Sequence, residues 1–169
     1  VHTVTKLLDK GHYGPVYVTI GEHIPTAQYR QRNLAASENG NGSFIVKEFE
    51  DAVTKAIIRA VTITPTGLLA AVLNNQSVKE FTLESVTGTI EDAVADLSHS
   101  KANVAEGLGT NINGTLMLAA NKLVERVAIS VDGAKYALKE PRIVKYYAER
   151  VNPTLAEIGI SLKMAGKIM

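Results

Sequence analysis

The spacing of apolar residues changes period several times along the chain, and each change marks an element. Around Val4 to Leu8, β-branched and polar residues alternate, break at Gly11-His12-Tyr13-Gly14-Pro15 and resume through Val16 to Ile20. This predicts two strands of a hairpin with a wide loop. From Gly21 to Gly42 the pattern dissolves into polar and small residues, with Pro25 near its start and Ser37-Glu38-Asn39-Gly40-Asn41-Gly42 at its end. The expectation there is a long polar loop or arm, and a loop of that length usually has a task such as contacting a partner.

Ser43 to Lys47 reads as a short strand. The next stretch reads as a helix, because Phe49, Val53, Ile57 and Val61 recur every fourth position with Ala52, Ala56 and Ala60 beside them. Glu48, Glu50 and Asp51 then fall in its first turn and Lys55 and Arg59 toward its end, as the helix dipole favours. Pro65 and Gly67 are expected to stop it, with Leu68 to Leu73 forming a short second helix. Val78 to Thr87 suggests a strand ending at Gly88, after which Thr89 and Asp92 resemble a helix start and His99 a helix end.

Glycines 107, 109 and 114 bracket a polar connection to a helical stretch from Leu116 to Arg126. Val127 to Val131 and Ala134 to Leu138 flank Asp132-Gly133, the strongest hairpin signal in the chain. Pro141 opens a helix through Val151, and Asn152-Pro153 looks like the cap and first turn of another, with Leu155, Ile158, Leu162 and Ala165 along one side. Strands and helices interleave irregularly. The expected fold is therefore α+β, a mainly antiparallel sheet with several packed helices, in a single domain over residues 1–169 with an arm at 21–42.

Composition narrows the chemistry. A hydrophobic fraction of 46% over 169 residues suffices for a core, so the chain should fold. The absence of cysteine removes disulfides, thiolate metal sites and cysteine nucleophiles. A net charge of +1 supplies no general attraction to nucleic acid or an anionic membrane. No apolar run approaches the ~20 residues of a membrane span, and no leader pattern opens the chain, so the sequence is read as soluble, in the cytoplasm or in a virion. Asn41, Asn75 and Asn113 head acceptor-type tripeptides for N-glycosylation, a pattern that arises readily in a chain rich in Asn, Ser and Thr.

No cluster has the spacing of a catalytic or metal site. The four histidines, His2, His12, His23 and His99, lack i,i+4 or His-x-His spacing, so neither a metal nor a cofactor is expected. The run Gly107-Leu108-Gly109-Thr110-Asn111-Ile112-Asn113-Gly114 resembles a phosphate-cradling loop. It fails the dinucleotide spacing at Ile112 and contains no Gly-Lys-Ser/Thr. The least ordinary feature is the interleaving of cations and tyrosines from Lys135 to Arg150, together with Tyr29-Arg30-Gln31-Arg32. Arg30, Arg32, Lys139, Arg142, Lys145 and Tyr146 are the candidates for phosphate contact and base stacking, whereas Tyr147 shares the core face with Ile143 and Val151.

On this reading the favoured function is a non-enzymatic structural or assembly protein, forming a homo-oligomer or a particle such as a virion, whose partners are its own copies or other assembly proteins. A nucleic-acid-binding module built on the basic and tyrosine face is the alternative. An enzyme with a site assembled from distant residues is the third, because catalytic geometry need leave no local motif.

Overall fold

A computed structural model describes residues 17–37, 42–76 and 78–162. The chain divides into two units between Ala60 and Val61. The strand expected around Val4 to Leu8 lies outside the described residues, and Tyr17 to Ile20 follow no strand pairing.

The first unit holds helix α1, Thr26–Ser37, and helix α2, Gly42–Ala60. Residues read as a polar arm are thus largely helical. Their interior is made of helix formers such as Ala27, Gln28, Arg30, Gln31, Arg32 and Leu34. Tyr29 and Asn33, four apart, are its half-buried positions. The Tyr29 ring meets Phe49 of α2 at 5.1 Å between centroids. The strand expected at Ser43 to Lys47 is the opening of α2, so Glu48, Glu50 and Asp51 sit in the body of the helix and not in its first turn. Ile45 is its buried residue, while Phe49, Ala52, Val53 and Ala56 are half-buried and Ile57 is 62% exposed.

The second unit is built around α3, Pro65–Asn75. Pro65 opens this helix and does not stop α2, which already ends at Ala60: Thr64 is the N-cap of α3 and accepts from the Gly67 N–H at 3.1 Å. Every residue from Gly67 to Leu73 is buried, which explains a helix with no polar face. It packs against α4 (Leu83–Ser98), α5 (Ile112–Glu125) and α6 (Pro141–Glu157). The approach to α6 is close: a Cβ on Gly67 would lie 2.7 Å from Val151 Cγ1.

Helix α4 starts earlier than its Thr89 signal. Thr82 is the N-cap, and a reciprocal capping box joins it to Ser85. Thr89 is a buried interior residue, 7% exposed. Helix α6 is one helix, not two, with Pro153 inside it. Pro153 is exposed, while Val151, Thr154 and Leu155 are held in the core.

The strands are short. β1 (Thr62–Ile63) pairs in parallel with β3 (Asn103–Val104). β2 (Glu80–Phe81), β4 (Ile129–Asp132) and β5 (Lys135–Leu138) form an antiparallel sheet in the order β2-β5-β4. The hairpin turns at Gly133, φ +57°, and pairs Asp132 with Lys135. Phe81 and Tyr136 stack across the sheet at 5.2 Å. The class is α+β as expected, but helices dominate and the antiparallel sheet is small.

Two helix ends in this unit share one geometry and differ in the residue that bears it. At the end of α6, Gly159 takes φ +78°, its N–H donates to Ala156 O and the next N–H donates to Leu155 O. At the end of α5 the same pair of bonds runs from Val127 to Val124 O and from Ala128 to Leu123 O, with Val127 at φ 59°. Glycine suits this left-handed position, whereas a β-branched side chain crowds its own backbone there. Val127 is 65% exposed, so little burial would be lost with its side chain. Val127→Gly is expected to raise stability by about 1 kcal/mol, the released strain exceeding the added entropy of an unfolded glycine. A urea midpoint that stays put or falls would show that the valine is not strained there.

Candidate functional surfaces

The residues proposed for a basic and aromatic face fall into two groups. Arg30 and Arg32 lie on α1 in the first unit, and Lys139, Arg142, Lys145 and Tyr146 lie at or near the start of α6 in the second. Several of their polar groups are already engaged. Arg32 donates from both terminal nitrogens to the Glu48 carboxylate, at 2.9 and 2.7 Å. This hydrogen-bonded, charge-assisted pair holds the Arg32 guanidinium above its ordinary pKa. Arginine is cationic at any working pH in either state, so the shift adds no pH dependence.

At the start of α6, Lys145 pairs with Glu149 at 3.5 Å, one helical turn on. Arg150 donates to the Tyr146 hydroxyl at 2.7 Å and lies 5.1 Å from the centre of that ring. Tyr146 also meets Tyr147 edge to face at 5.5 Å. As expected from their periodicity, Tyr146 is exposed and Tyr147 is half-buried. Lys139 and Arg142 are exposed on either side of Glu140 and Pro141. The ring that could stack a base is instead covered by its own arginine, and two of the cations face carboxylates. Sequence reasoning had no signal for the Arg32–Glu48 bond, whose partners are 16 residues apart across a stretch read as loop.

The glycine run before α5 is a helix cap. Leu108 within it is fully buried, and the N–H groups of Thr110 and Asn111 both donate to Gly107 O at 3.3 Å. Asn111 is the N-cap and accepts from the Gly114 N–H at 3.0 Å. A Cβ at Gly114 would lie 2.5 Å from Asn111 Nδ2, so this glycine makes room for the cap. The Gly114 N–H at the head of α5 is thus engaged by its own cap. His23 is exposed, His99 is the exposed C-cap of α4, and His2 and His12 lie outside the described residues. No group of three or more His, Asp or Glu able to hold a metal occurs among the described residues. None of the described helices is long and apolar enough to cross a membrane.

Comparison with known families gives a match over residues 1–147, to the glycerol-3-phosphate acyltransferase C-terminal region. The chain belongs to this family. The matched residues take in the first unit, helices α3 to α5, both sheets and the opening turns of α6. No curated protein and no solved structure matches the chain. Membership in an acyltransferase family overturns the expectation of a structural, virion or particle-forming protein. Tyr146, Arg32 and Lys145 of the expected nucleic-acid face already have partners within the chain. The family match extends over most of the sequence and coincides with no spaced motif, which is why no single cluster of residues pointed to it.

Proposed function

We propose that this chain serves the transfer of an acyl group to glycerol 3-phosphate, as the folded C-terminal body of such an enzyme. The family match over residues 1–147 carries the reading. In that reaction a hydroxyl oxygen of glycerol 3-phosphate bonds to the carbonyl carbon of an activated acyl donor such as a thioester. The thiolate leaves with its electron pair, and the hydroxyl proton passes to a base. Geometry of this kind depends on a rigid frame, since small misplacements cost large factors in rate. The second unit supplies such a frame, with α3 enclosed by three helices. The phosphate of the acceptor calls for cations, and Lys139 and Arg142 are exposed within the matched residues.

The test is acyl transfer from a long-chain acyl thioester to radiolabelled glycerol 3-phosphate, using the protein that carries this sequence. Product is expected from the unaltered protein and only background from Leu69→Asp, which places an unpaired carboxylate in the fully buried helix. Absence of product from the unaltered protein, or full activity in the variant, would overturn the reading.

A further inference from the structure

Asn113-Gly114 stands in the opening turn of α5, just after the Asn111 cap. In an open chain this dipeptide is among the least durable. With no side chain on the glycine, its backbone nitrogen can approach the asparagine carboxamide and close a ring on it. In α5 the surrounding turn opposes that closure. Asn113 is exposed but helical, and the Gly114 N–H donates to Asn111 Oδ1 at 3.0 Å. Thr115 pins the same turn, its N–H donating to Asn111 O at 2.9 Å and its hydroxyl donating to the same carbonyl.

A bulkier residue after the asparagine would hinder the ring, but the cap leaves no room for one. A Cβ at position 114 would lie 2.5 Å from Asn111 Nδ2 and 2.9 Å from its Cγ and Oδ1. The cap therefore demands the very glycine that makes Asn113 vulnerable.

We propose that Asn113 is a latent site of spontaneous deamidation, held closed by the Asn111 cap. In the reaction the Gly114 N–H gives its proton to hydroxide and the nitrogen attacks Asn113 Cγ. A bond from Gly114 N to Cγ forms, the Cγ–Nδ2 bond breaks, and ammonia leaves with a proton taken from water. A second water then opens the cyclic imide at either carbonyl, giving aspartate or its β-linked isomer. Ring closure requires the Asn113 ψ to leave the helical range, which turns the Gly114 N–H away from Asn111 Oδ1. The capping bond must break first, so the rate follows the opening of this turn. The two products act in opposite directions. Aspartate places a negative charge near the helix N-terminus, where the dipole favours it. The β-linked isomer lengthens the backbone by a carbon and pulls the Gly114 N–H out of register with its cap.

Peptide mapping by mass spectrometry separates position 113 from the other Asn-Gly pairs, Asn39-Gly40 and Asn41-Gly42. The full chain is incubated at mildly alkaline pH, folded and in urea, and aspartate plus isoaspartate at 113 is followed with time. The folded protein is expected to react at least ~10-fold more slowly than the unfolded chain. Asn111→Ala removes the acceptor and should speed the folded reaction by about 5-fold or more, with an unchanged circular dichroism spectrum. Asn111→Asp keeps an acceptor, so its rate should stay within about 2-fold of the unaltered protein. Equal rates in the folded and unfolded chain, no acceleration in Asn111→Ala, or equal acceleration in Asn111→Asp would each overturn the proposal.

Discussion

Gly67→Val should lower the unfolding free energy by about 3 kcal/mol or more, a large share of what a domain of this size possesses. The cause lies at the crossing of α3 and α6. A Cβ on residue 67 would stand 2.7 Å from Val151 Cγ1 and 3.1 Å from the Thr64 hydroxyl that caps the helix. Val151 is 2% exposed and β-branched, so it has little freedom to turn aside. Gly67→Ala is the more delicate variant, because replacing a helical glycine normally gains about 0.5–1 kcal/mol. The clash is expected to outweigh that gain, leaving even alanine destabilising. Val151→Ala should reverse the sign by opening the space. A thermal or urea denaturation series of the two single variants and the double variant checks this, and additive effects would show that the two sites do not share the contact.

Leu69→Ala is expected to cost 2–5 kcal/mol, the range for deleting a buried leucine side chain. Leu69 has no exposed surface, and its neighbours Leu68 and Ala70 have none either. A helix enclosed on every side has no solvent-facing flank toward which the surroundings can relax, so the upper half of that range is expected. Urea denaturation with an unchanged slope and a shifted midpoint would fit. A cost below about 1 kcal/mol would mean that α3 is not the tightly packed centre of its unit.

The parts of the fold that were legible in the sequence are those decided by near neighbours. The hairpin from Ile129 to Leu138 follows from Asp132-Gly133 and its flanking β-formers. The end of α4 at His99 and the exposed side of the first α6 turns follow in the same way, whereas Val144 and Ala148 are the buried residues there and Ile143 and Tyr147, read as core, are half-buried. Elements decided by distant contacts were not legible. Helix α1 turns Tyr29 and Asn33 inward and shows polar residues elsewhere, so its apolar period is too sparse to register. Thr89 has the look of a cap, yet Thr82 has Ser85 as its reciprocal partner and takes that role. Pro153 follows Asn152 as a helix start would, but burial of Val151 and Leu155 on both sides keeps one helix running through it.

The candidate surface was legible as composition and not as chemistry. The sequence shows that cations and tyrosines cluster between Lys135 and Arg150. Whether they are free to meet a ligand depends on side-chain geometry, and Arg150 over Tyr146 answers that only in three dimensions. The family, by contrast, extends over residues 1–147 with no local signature among the residues singled out.

The enclosure of α3 also has a consequence in time. Its apolar residues, Gly67 to Leu73, are covered by α4, α5 and α6, all of which follow it in the chain. A ribosome adding ~5–20 residues per second needs several seconds to pass from Gln76 to the end of α6. Through that interval the most hydrophobic helix of the protein waits without its cover, which makes the nascent chain a natural client for a chaperone until Leu155 has emerged.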